Sequence, residues 1–77
     1  MPKRIFIGGL SAQTTSDELQ SMFTGLVQPV SIRIADADDG RSREAYVEMA
    51  SDEDAAAAIQ RLNGRDLNGR KVMLRAQ

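Results

Sequence analysis

Cysteine, histidine and tryptophan are all missing from this chain. Without cysteine there is no disulfide and no thiolate metal site. Without histidine as well, the usual zinc sets and imidazole-based acid–base chemistry are excluded. No apolar run reaches the length needed to cross a bilayer, and no secretory-type segment opens the sequence. No cofactor, metal or membrane partner is therefore expected. The expected location of such a soluble protein is the cytoplasm, or the nucleus in a eukaryote. An excess of one charge is missing too. Lys and Arg number 10 and Asp and Glu 11, for a net charge of -1, so the bulk basic signature of a nucleic-acid binder is absent.

What charge there is follows a pattern. Asp17, Glu18, Asp52, Glu53 and Asp54 crowd the starts of two predicted helices, where carboxylates suit the helix dipole. Lys3, Arg4, Arg33, Arg41, Arg43, Arg70, Lys71 and Arg75 lie on or beside predicted strands. The acid has a structural explanation, and the base gathers on the strand side. At 77 residues the expectation is a single domain over 1–77, complete in itself or cut from a longer chain. A domain of this size buries only about 60% of the surface its unfolded form exposes.

Aromatics are scarce, which makes their placement informative: there are two Phe and one Tyr. In Ile5-Phe6-Ile7-Gly8-Gly9-Leu10 a short β-branched run meets a Gly-Gly stop and reads as a strand. Side chains alternate along a strand, so if Ile5 and Ile7 enter a core, Phe6 points the other way. In Glu44-Ala45-Tyr46-Val47-Glu48-Met49 the same logic puts Ala45, Val47 and Met49 inside and Tyr46 outside, between two carboxylates. Two exposed rings on one open sheet form a platform on which flat bases stack. Phe23, at helical spacing with Leu19 and Met22, reads as core.

In chain order, Met1–Lys3 form a lead-in and Arg4–Gly8 the first strand. Thr15 with Glu18 makes a capping box for a helix running to about Thr24. Val30, Ile32 and Ile34 alternate with Ser31, Arg33 and Ala35 in a half-buried strand. Asp36–Gly40 is a turn, and Arg41–Arg43 lead into the third strand. Ser51 caps a helix from Asp52 to about Asn63, with Ala55, Ala58, Ile59 and Leu62 as its stripe. Asn68-Gly69 is a hairpin-type turn, and Val72 and Leu74 alternate with Lys71, Met73 and Arg75 in a last strand. Strand, helix, strand, strand, helix, strand predicts an α+β, ferredoxin-like βαββαβ fold: a four-stranded antiparallel sheet with both helices on one face. Its first and third strands are central, which makes Phe6 and Tyr46 neighbours.

At this point the chain resembles the RNA recognition motif family. Ile5-Phe6-Ile7-Gly8-Gly9-Leu10 is similar to the family's hexamer, and Ser42-Arg43-Glu44-Ala45-Tyr46-Val47-Glu48-Met49 to its octamer. The Gly-Arg-Ser-Arg run before the octamer resembles small stand-alone bacterial members. The resemblance implies a single-stranded RNA-binding module with bases on Phe6 and Tyr46. It further implies contacts from Arg4, Arg33, Lys71, Met73 and Arg75 on the sheet, Arg41 and Arg43 from a closing loop, and Gln77 at the strand's edge. The chain departs from the pattern at Glu44, where a third stacking ring is usual. A carboxylate repels phosphate but accepts hydrogen bonds from base amino groups, which brings Glu44 and Glu48 into the expected site. Single-stranded DNA is the related partner. The competing reading is a protein-interaction module that uses the same apolar face, for another protein or for weak self-association. Catalysis by Glu44 and Glu48 is not expected, because no predicted pocket shifts their chemistry. Gly8-Gly9 matches no phosphate-binding loop.

Overall fold

The structure is a computed structural model that describes residues 3–77; Met1 and Pro2, the start of the expected lead-in, lie outside the described residues. Strand β1 (Arg4–Ser11) leads to helix α1 (Ser16–Phe23), then β2 (Ser31–Asp36), β3 (Ser42–Glu48) and helix α2 (Asp52–Leu62). Two very short strands, β4 (Asp66–Leu67) and β5 (Arg70–Lys71), precede β6 (Met73–Ala76). The main sheet runs β2-β3-β1-β6 with every neighbour antiparallel. This is the expected ferredoxin-like arrangement with one addition. Asn68 (φ 55) and Gly69 (φ 80) both take positive φ, which makes the turn of a small separate hairpin, β4–β5.

Local chemistry starts the helices where the sequence says it should. The Thr15 hydroxyl accepts from the Glu18 N–H at 3.3 Å, and the Glu18 carboxylate accepts from the Thr15 N–H at 2.9 Å. Ser51 accepts from the Asp54 N–H at 3.1 Å to cap α2. Each helix then lays its apolar stripe on one face of the sheet. Leu19 and Phe23 of α1 and Ala55, Ala58 and Leu62 of α2 are buried against Ile5, Ile7, Ala45, Val47 and Leu74. Burial of this kind contributes about 25 cal/mol per Å² of apolar surface and is the main force holding helices to sheet. Among the described residues, the opposite face carries no helix.

Two details differ from the expectation. The strand β1 does not stop at Gly8. It pairs with β3 as Ile7↔Ala45 and then resumes as Leu10↔Arg43, with one extra residue on the β1 side. That bulge at Gly8-Gly9 shifts the alternation by one, which is why Leu10, and not Gly9 or Ser11, joins Ile5 and Ile7 in the core. The second detail is Val30, expected to share the buried face of β2. It lies one residue before the strand and is 62% exposed. Because β2 is an edge strand, it has a neighbour on one side only, and Ile32 and Ile34 are half-buried for the same reason.

Thr14 ties the loops of one end together. It is fully buried. Its hydroxyl bonds Ser11 Oγ at 3.1 Å and accepts from Asn68 Nδ2 at 3.4 Å. Its carbonyl accepts from Arg43 Nη1 at 2.9 Å. One residue thus joins β1, β3 and the β4–β5 turn. Asn68 also reaches Glu18 at 3.3 Å. The Thr15 backbone N–H and then the Asn68 amide hold the Glu18 carboxyl below its ordinary range. Thr14→Val keeps the volume and removes the hydroxyl bonds. The expected loss is about 1–2 kcal/mol of unfolding free energy, read as a lower urea midpoint at unchanged slope.

Candidate nucleic-acid interface

Register builds the open face row by row. Tyr46 on β3 pairs with Arg33 on β2 and with Phe6 on β1, and Phe6 pairs in turn with Arg75 on β6. One line of side chains, Arg33–Tyr46–Phe6–Arg75, therefore crosses all four strands. The two rings meet edge to face, with centroids 5.5 Å apart and planes at 64°, a favourable aromatic geometry. Gly8 leaves room for the Phe6 ring to lie along the strand: a methyl group built there would stand 3.1 Å from its Cε2 atom. The Arg75 guanidinium sits over the Phe6 ring, with Cζ 4.9 Å from the centroid, within cation–π range.

The neighbouring row is polar. Glu48 pairs with Ser31 on one side and with Arg4 on the other, and the Gln77 N–H donates to the Arg4 carbonyl at 3.0 Å. Between the two rows lies a shallow depression of about 400 Å³, lined by Arg4, Ser31, Arg33, Ala35, Tyr46, Val47, Glu48 and Gln77. Ser31 and Ala35 were not among the expected site residues. Their signal was the alternation that puts them on the same face as Arg33. On the far side of the ring row, Met73 is paired with Gly8 and 62% exposed. Glu44 is half-buried opposite Ala35.

Three cations lie elsewhere. Arg43 is turned to the helix side, against the expectation of a loop closing over the open face. Its Nη1 donates to the Thr14 carbonyl, and its Nε lies 3.3 Å from Asp36 Oδ1 without an aligned hydrogen bond. The reason is the alternation itself: Arg43, Ala45 and Val47 share one face. Lys71 belongs to β5 in the small hairpin, not to the last strand of the main sheet. Arg41 is exposed in the β2–β3 loop. Asp39 orders that loop through bonds from the Arg41 and Ser42 N–H groups and the Ser42 hydroxyl. The Arg41 N–H first, then the Ser42 hydroxyl, holds the Asp39 carboxyl below its ordinary range.

A family model described as the RNA recognition motif matches residues 5–73, which run from the second residue of β1 to the first residue of β6 and include both rings. The chain belongs to the RNA recognition motif family. Among relatives of this RNA recognition motif is glycine-rich RNA-binding protein 3, mitochondrial, of Arabidopsis thaliana. It is 44% identical over 71 residues, which span 90% of this chain and 23% of that protein. Another, glycine-rich RNA-binding protein blt801 of Hordeum vulgare, is 39% identical over 71 residues, 90% of this chain and 44% of that protein. The chain thus spans less than half the length of either relative. The first is named as mitochondrial, so it lends no support to a cytoplasmic location. Both are plant proteins and speak to the family, not to the stand-alone bacterial form. Among solved structures, Pes4 RRM3 superposes with a TM-score of 0.87 at 27% identity, covering 97% of this chain and 90% of that one.

Within the RNA recognition motif, the octamer's third position is Glu44 in this chain. Glu44→Phe restores a ring beside the existing two. It is expected to tighten single-stranded RNA binding by about 1–3 kcal/mol, the worth of one stacked base. Fluorescence anisotropy titration checks it; weaker binding would mean that Glu44 makes a contact of its own.

Proposed function

We propose that residues 1–77 act as one single-stranded RNA-binding module whose site is the open face of the sheet. The observation that carries this is the ring pair Phe6–Tyr46, in register and half-buried side by side on the open face between Arg33 and Arg75. Membership of the RNA recognition motif family and the names of the RNA-binding relatives support it. In this reading bases stack on Tyr46 and Phe6. Arg33, Arg4 and Arg75 meet phosphates or base edges, Met73 offers an apolar contact, and Gln77 and Glu48 border the strand's path. Arg41 and Lys71 lie at the end of the sheet where RNA would leave it. Arg43 has no part, since its guanidinium is committed to Thr14. The role is binding, not catalysis.

A net charge of -1 means that stacking must supply much of the affinity, with a modest electrostatic share. Titrating random single-stranded RNA at two salt concentrations measures this directly. The salt slope is about 0.7 per phosphate contacted, and three cations on the face predict a slope of roughly two. The same titration with single-stranded DNA reads the contribution of the 2′-hydroxyl. No RNA binding at protein concentrations near a millimolar overturns the reading. The half-buried rings and the exposed Met73 would then belong to a protein partner or a second copy, which sedimentation would detect.

A further inference from the structure

The depression beside Tyr46 holds an acidic group that base stacking does not use. Glu48 lines it with Arg4, Ser31, Arg33 and Gln77, and its register partner on β1 is a cation, Arg4. Yet the ion pair found among the described residues joins Arg43 to Asp36, not Glu48 to Arg4 or Arg33. The depression therefore presents a carboxylate and guanidinium groups side by side, each with hydrogen-bonding capacity left for a ligand. Glu44 is different: it is half-buried opposite Ala35 and does not line the depression.

A carboxylate accepts and cannot donate. The four bases meet such a group unequally along their Watson–Crick edges. Guanine offers two adjacent donors, N1–H and the N2 amino group, which match the two carboxylate oxygens. Uracil offers one N–H between two carbonyl oxygens, and both oxygens face the carboxylate's lone pairs. Adenine and cytosine offer one amino group beside a ring nitrogen that is itself an acceptor.

We propose that Glu48 makes the Tyr46 position a guanine-selecting subsite. The base stacks on Tyr46 and donates N1–H and N2–H to the Glu48 carboxylate. Arg33, in register with Tyr46, donates to O6 and N7, the edge that guanidinium groups recognise. The carboxylate excludes uracil by repulsion as much as it selects guanine by attraction. This inference rests on the open face being the RNA site.

The test uses uridine pentamers with G, A, C or U at the centre, titrated against the wild-type chain, Glu48→Gln and Phe6→Ala/Tyr46→Ala. Wild type is expected to prefer the G pentamer over the all-U pentamer by roughly tenfold or more, the scale of one bidentate contact. Glu48→Gln exchanges one acceptor for a donor on an exposed side chain, and the preference is expected to fall to about twofold or less. If the aromatic variant loses binding but wild type shows no preference for G, or Glu48→Gln keeps it, the guanine subsite is wrong and the RNA site stands. If the aromatic variant binds as wild type does, the site assignment fails and the subsite with it.

Discussion

The Phe6→Ala/Tyr46→Ala variant is expected to lose roughly 2–6 kcal/mol of single-stranded RNA binding, at 1–3 kcal/mol per stacked base, and to remain folded. Even the lower figure is about a thirtyfold rise in Kd. Neither ring is part of the buried core, which is built from the opposite face. What folding loses is the edge-to-face pair, worth about 0.5–1.5 kcal/mol, and the Arg75 contact on Phe6, worth about 0.5–1 kcal/mol at an exposed site. Circular dichroism should therefore report native secondary structure with a lowered melting temperature. Anisotropy titration should report the affinity loss. Unchanged affinity in a folded double variant would remove the open face as the RNA site.

The two rings should not contribute equally. Arg75 already covers the Phe6 ring in the free protein. A base that stacks there must displace the guanidinium or sandwich against it, so part of the stacking gain is spent on the contact that is lost. Tyr46 carries no such cover, and the depression opens beside it. Of the single variants, Tyr46→Ala should cost more than Phe6→Ala. Double-mutant analysis with Arg75→Ala would then show coupling between positions 6 and 75, since residues in contact do not act additively.

Alternation and capping make much of this legible in the sequence itself. The Thr15–Glu18 box, the Ser51 cap and the outward parity of Phe6 and Tyr46 are local properties, set within a few residues of chain, and the structure has all of them. Other features depend on a partner strand. Arg75 lies over Phe6 because β6 pairs with β1 in one register, which no stretch of either strand specifies alone. The bulge is invisible in Gly8-Gly9 by itself, because two glycines suit a strand end as well as a strand that slips by one residue. Arg43 is the instructive case. Its parity with Ala45 and Val47 places it on the helix side, whereas the basic run Arg41-Ser42-Arg43 by itself suits a loop that closes over the open face.

Gly9→Val is expected to cost about 3 kcal/mol or more of stability. Gly9 sits at φ +80, and a methyl group built there would stand 2.8 Å from the Lys71 carbonyl oxygen. The left-handed backbone alone costs an L-residue about 1–2 kcal/mol, and a β-branched residue is the worst suited to it. The clash adds to this because the Lys71 carbonyl cannot retreat cheaply. Lys71 is paired with Asp66 in the hairpin, and the next residue, Val72, is buried and bonds back to the Arg65 carbonyl at 2.8 Å. Either the hairpin lifts from β1, or the bulge irons out and Leu10 rotates away from the core. A 77-residue domain has about 4–12 kcal/mol in all, so the loss should appear as a large fall in the urea midpoint. Gly8→Ala is the control. Its built methyl meets only the edge of the Phe6 ring at 3.1 Å, and a ring on an open face tilts at little cost. That variant should keep its urea midpoint and change RNA affinity instead. Equal stability for Gly9→Val and wild type would mean that the bulge is not required to bring Leu10 into the core.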